Sequence, residues 1–137
     1  MTTQLTEATA REITQSWRAM QLRRRPFAAA MARYLSKRGS NDMRNGGDAA
    51  LAITDMLFDH TRELAGKSPA PAIEQIARRH HSLGITGDHY SSFGDGLGAI
   101  MKDVLRLQAA PTLLSAWGDA YWAIAGAVRR QARPLAA

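Results

Sequence analysis

Hydrophobic positions recur at helical spacing in six stretches of the chain, and no run of alternating residues is long enough to predict a strand. In residues 5–22, Ile13, Trp17 and Met20 share one face. Thr6 or Thr9 can cap this helix, and Thr9 with Glu12 has capping-box spacing. Arg23-Arg24-Arg25-Pro26 predicts a joint, because proline restrains the residue before it and suits a first helical turn. A second helix then buries Phe27, Met31, Tyr34 and Leu35. Residues 39–47, G-S-N-D-M-R-N-G-G, are turn chemistry throughout. Asp48 is the expected cap of a third helix that turns Leu51, Thr54, Leu57 and Phe58 inward and closes at Gly66.

Pro71 suits the first turn of a fourth helix, which carries Ile73, Ile76, Ala77 and His80 on one face and ends near His80 or His81. Thr86 or Asp88 starts a fifth, with Tyr90, Phe93, Leu97, Ile100, Met101 and Val104 inward. Gly94, Gly96 and Gly98 weaken that helix, and close packing of a neighbour is the expected reason for them. From Pro111 to about residue 131 the last helix aligns Leu113, Leu114, Trp117, Tyr121, Ile124 and Val128, and residues 134–137 should fray. The reading is an all-α chain without internal repeats, residues 1–137 forming a single domain.

Composition narrows the chemistry. The chain has no cysteine, which excludes disulfides, zinc–thiolate sites, iron–sulfur clusters and cysteine nucleophiles. It has neither a secretory segment nor an apolar run near the roughly 18 residues of a membrane span, so a soluble, cytoplasmic protein is expected. The formal charge of +6 rests on Arg23-Arg24-Arg25, Arg78-Arg79, Arg129, Arg130 and Arg133. These clusters are short, scattered and without interleaved aromatics, so a solvated surface is expected rather than nucleic-acid binding. No serine and histidine form a nucleophile–base set, and Asp55 with Asp59 reads as a solvated helix face. No catalytic residue is assigned.

The stretch I-A-R-R-H-H-S-L-G-I-T-G-D-H-Y, residues 76–90, ends an apolar helical face on a histidine. By spacing alone His80 is either a core histidine with one satisfied polar group, the commoner arrangement, or a metal ligand. Together with F-G-D-G-L at residues 93–97, however, this stretch resembles the proximal segment of bacterial single-domain globins and of flavohaemoglobin globin domains. That family reads approximately I-A-x-K/R-H-x-S-x-x-I-x-x-x-x-Y-x-x-x-G-x-x-L. L-L-S-A-W-G-D-A-Y-W-A-I-A at residues 113–125 is similar to the family's final helix, and I-T-Q-S-W at residues 13–17 to its first.

The resemblance implies a globin-like fold and a b-type haem (iron protoporphyrin IX) with His80 as the metal ligand, rather than His81 or His89. A single histidine ligand leaves the opposite iron position for a diatomic gas: oxygen, nitric oxide or carbon monoxide. Tyr90 would orient the imidazole through its other nitrogen, and Met31, Leu51, Phe58, Ile76 and Phe93 join Tyr90 as cofactor-binding candidates.

The distal half departs from the family. The span from Trp17 to His80 is shorter than the family pattern, so the short helix between the second and third long helices, with its haem-stacking phenylalanine, is expected to be reduced or missing. Ala32 stands at the distal tyrosine position with Tyr34 on another face, Gly47 at the distal glutamine or histidine, and Leu51 over the iron. None offers bound oxygen a side-chain donor, although Met43 or Asn45 could fold over from the loop. The glutamate of the flavohaemoglobin proximal network would fall near Gln131 or Ala132. The 137 residues hold no flavin or nicotinamide segment, so nitric oxide dioxygenation with an intrinsic reductase is not expected of them. The implied role is gas binding or sensing, with a separate reductase or signalling partner and an oligomeric state left open. The alternative is a haem-free globin-fold module that regulates, or binds a ligand, through a partner.

Overall fold

The computed structural model describes residues 5–37 and 46–136, with side chains in the last helix as far as Gln131. Among the described residues six α-helices follow in order, as the periodicity predicts: α1 Glu7–Leu22, α2 Arg24–Ser36, α3 Gly46–Leu64, α4 Ile73–Ser82, α5 Gly87–Leu105 and α6 Pro111–Ala136. Among the described residues there is no strand, and no helix is long and apolar enough to cross a membrane. The expected linker donors Met43 and Asn45, and the place of the missing short helix, lie outside the described residues.

Helix ends follow local chemistry, with small corrections to the expected boundaries. Thr6 caps α1, accepting from the Thr9 amide at 3.1 Å, so the helix begins at Glu7 rather than Leu5 and the Thr9–Glu12 box is not used. α3 starts at Gly46, which puts Asp48 inside the first turn as a favourable charge rather than at the cap. The Gly46 backbone sits against Leu35, where a Cβ would meet the Leu35 carbonyl carbon at 3.0 Å. Pro71 precedes the Ala72 cap of α4 instead of occupying its first turn. α6 continues through Pro134 to Ala136, beyond the expected fraying point.

Two helices stop in the same manner. Gly66 and Gly84 take left-handed φ values of 77° and 74°. The amides that follow them reach back to the Arg62 and His80 carbonyls at 3.1 and 3.0 Å, as in a Schellman stop.

The core lies where α1, α2, α3, α5 and α6 converge. Phe27 meets Phe58 edge-on at 5.7 Å between centroids, Phe93 stacks on Tyr121 at 5.0 Å, and Trp117 lies 5.8 Å from Phe58. α4 rests chiefly on α6 and touches α3 only lightly. Tyr34, Val104 and Leu114, expected inward, are half-buried at the edges of this core. Leu51 is 53 % exposed and so points away from it, correcting the expected face of α3. The buried side of α3 runs through Ala49, Ala50, Ala52 and Ile53, small residues that bring its backbone near its neighbours.

Two of the three α5 glycines meet the expectation of close packing. A Cβ at Gly96 would come within 2.6 Å of the Tyr34 ring, and one at Gly94 would overlap Trp122, whereas Gly98 has nothing within 4 Å. Gly96→Ala should therefore destabilise by about 1–3 kcal/mol. Gly98→Ala should stabilise by about 0.5–1 kcal/mol through helix propensity alone. Urea unfolding of the two variants checks this, and shifts of the same sign would contradict it.

Candidate functional site

His80 occupies the last turn of α4, and the glycine stop at Gly84 fixes where that turn ends. Its ring is 3 % exposed, and its Nδ1 lies 2.6 Å from the Tyr90 hydroxyl. Tyr90 reaches it because Thr86 caps α5 one turn earlier: Thr86 binds the third helical residue, His89, and the His89 Nδ1 accepts from the Thr86 amide at 2.8 Å. The Tyr121 hydroxyl on α6 donates to the Tyr90 carbonyl at 2.7 Å and pins that backbone in turn. The imidazole is thus oriented through three helices.

Ala52 on α3 lines the same cavity as His80. The His80 Nδ1 and the Tyr90 hydroxyl share one hydrogen bond, whose direction follows the tautomer of the imidazole. Burial pushes the His80 pKa down to about 4. The Ala52 carbonyl and Asp55 oppose that shift and Arg79 adds to it. Burial likewise pushes the Tyr90 and Tyr121 hydroxyls up, with Arg129 pulling both the other way. The pair therefore remains a neutral imidazole beside a neutral phenol at physiological pH.

His80 opens onto a cavity of about 230 Å³ between α3 and α4, lined by Ala52, Asp55, Met56, Asp59, Ile76 and Arg79, with Pro71 and Gln75 at its edge. Of the residues expected at a cofactor, His80 and Ile76 line it, with Tyr90 behind His80. Met31, Phe58 and Phe93 are fully buried in the core instead, and Leu51 is on the outer side of α3. His89 is spent on the cap of α5, and His81, one position round the helix, is exposed.

Asp55 and Asp59, expected on a solvated face, are half-buried on the wall facing His80. Arg24 pairs with Asp55 at 2.6 Å and Arg62 with Asp59 at 2.9 Å. Their i, i+4 spacing one turn beyond Ala52 was the available signal, and only the phase of α3 gives it meaning.

Among the described residues no group of three or more His, Asp and Glu side chains converges as a metal-ion site would. One neutral, oriented imidazole suits a metal that arrives already chelated, so the donor set fits a haem. The cavity is smaller than the ~300–1,000 Å³ typical of small-molecule sites.

No family model matches the chain. The chain is similar to several bacterial flavohemoproteins. That of Rhodopirellula baltica is 31 % identical over 112 residues, covering 70 % of this chain and 28 % of the relative. That of Bacillus subtilis is 42 % identical over 57 residues, 42 % of this chain and 14 % of the relative. That of Chromobacterium violaceum is 30 % identical over 82 residues, 59 % and 20 % respectively. The chain thus spans only 14 % to 28 % of the length of these relatives. The fold is all-α and globin-like. With these matches, the chain is of a flavohaemoglobin globin-domain-like family.

Proposed function

We propose that the chain is a haem-binding globin domain in which His80 would hold haem b, and that it binds or senses a diatomic gas. The 2.6 Å contact between the buried His80 Nδ1 and the Tyr90 hydroxyl carries this reading. It directs the remaining nitrogen, Nε2, into the crevice between α3 and α4. The relatives' name, flavohemoprotein, supports a haem there. When bound, haem iron supplies one open coordination position for a small ligand.

The chain's own residues act on the imidazole. For Nε2 to offer its lone pair, the ring proton sits on Nδ1, where the Tyr90 oxygen accepts the hydrogen bond. Burial keeps the ring neutral, so its lone pair is not lost to a proton. We place the protein in the cytoplasm, served by a separate reductase or signalling partner.

Titration with hemin tests this. A sharp Soret band at one equivalent is expected for the wild type, together with a carbon monoxide shift after dithionite. His80→Ala should lose the specific band while keeping its helical circular dichroism. The small cavity favours a second reading, a haem-free globin-fold module that acts through a partner. Absence of stoichiometric uptake by the folded wild type would select it.

A further inference from the structure

The outer face of α6 is left bare by its neighbours. Thr112, Ser115, Asp119, Trp122 and Arg130 recur along it at intervals of three, four and eight residues, and all five are exposed. Trp122 is the one large apolar side chain of the set, 45 % exposed. Its inner edge is held: a Cβ at Gly94 of α5 would overlap the indole, and the Tyr121 ring meets it edge-on at 5.2 Å. What remains outside is a fixed aromatic surface flanked by charge. Asp119 stands three residues before it. The Arg130 guanidinium leans back over Gly126, with Nη1 3.5 Å from where a Cβ would lie, and so sits about one turn after it. Neither Asp119 nor Arg130 has an ion-pair partner among the described residues. A groove of about 370 Å³ runs beside them, between α6 and Leu5 and Thr9 of α1, and Trp122 and Arg130 both line it.

We propose that this face binds a second copy of the chain, the two α6 helices crossing antiparallel about a two-fold axis beside Trp122. The order of the charges selects that occupant. With an acid one turn before the indole and a cation one turn after it, the rotation lays Asp119 of each copy on Arg130 of the other and sets the two indoles side by side. A parallel approach would set acid on acid and cation on cation. Such self-complementarity is what an isologous interface requires of a single surface patch. Ala123 and Gly126, small residues lining the groove, leave room for the opposing indole. A central tryptophan within a polar rim is also where binding energy concentrates in protein interfaces. The inference does not depend on what His80 holds.

Sedimentation of the purified chain over a micromolar concentration range decides this. The wild type should pass from a monomer of 15.0 kDa to a species of twice that mass as concentration rises. Asp119→Arg and Arg130→Asp each oppose like charges across the axis and should weaken association at least about tenfold. Both positions are exposed, so helical circular dichroism should stay unchanged. The two variants mixed in equal amounts should recover a heterodimer, because each supplies the charges the other lacks. A merely structural defect would not be cured by mixing. A wild type that stays monomeric throughout the range would overturn the proposal and leave the groove to a different occupant. A dimer indifferent to both substitutions would overturn it as well, placing the contact on another face.

Discussion

Replacing Trp117 by alanine is expected to cost about 3–5 kcal/mol of folding stability and to lower the melting temperature by roughly 10–20 °C. Its indole is fully buried, lies 5.8 Å from the Phe58 ring, and donates from Nε1 to the Ser16 hydroxyl at 2.8 Å. Ser16 has already turned its own proton to the Glu12 carbonyl at 2.6 Å, so the indole is donor to an oxygen that needs one. Alanine would leave a cavity where α1, α3 and α6 meet and strip that bond, and the surrounding helices can relax only in part. Trp117→Phe separates the two contributions. It keeps most of the buried area and loses only the hydrogen bond, for about 1 kcal/mol. Urea unfolding measures both, and an alanine variant within 1 kcal/mol of wild type would mean that this junction is not where the fold gains its stability.

Trp117 was legible in the sequence because α6 keeps a strict apolar face, and the same holds for Ile13 and Met20 of α1, Phe27, Met31 and Leu35 of α2, and Phe93, Leu97 and Met101 of α5. The His80–Tyr90 contact was legible too, through a residue pattern rather than periodicity. A helix-stopping Gly84 and a capping Thr86 between the two residues leave the short connection few ways to run, so a ten-residue spacing becomes a 2.6 Å contact.

α3 was read less well, for a physical reason. Its buried set includes Ala49, Ala50, Ala52, Ile53, Thr54, Met56, Leu57 and Phe58, covering so much of its circumference that amphipathicity hardly fixes its phase. Leu51 looked inward because it is large and apolar. Ala52 holds the inward place instead, buried on the cavity wall shared with His80. The same rotation carries Asp55 and Asp59 from solvent to the cavity wall. Polar side chains that are half-buried and paired with arginines leave no mark in a hydrophobic pattern, so the chemistry facing His80 could be found only in three dimensions.

The second large effect is a loss of stability in acid traceable to His80. Burial lowers its folded pKa from 6.5 to about 4, so the unfolded chain binds the proton more readily than the folded one between those values. Above pH 6.5 the ring is neutral in both states and contributes no difference. As pH falls from 6.5 toward 4 the unfolded state gains a proton that the fold refuses, and below 4 both are protonated and the loss is complete. A depression from 6.5 to about 4 amounts to about 3 kcal/mol. His60 on α3, whose pKa burial also lowers, adds a contribution of the same sign. His80→Gln, which cannot titrate, should therefore shrink the stability difference between pH 7 and pH 4 by about 3 kcal/mol relative to the wild type. Urea titrations of the haem-free proteins across that range measure it. Equal pH profiles would mean that His80 is protonated in the fold, with its Nδ1 donating to Tyr90. The environment that excludes the proton is also the one that preserves a ligating lone pair, so the acid sensitivity of the apoprotein and its capacity to hold iron have a common origin in the burial of one ring.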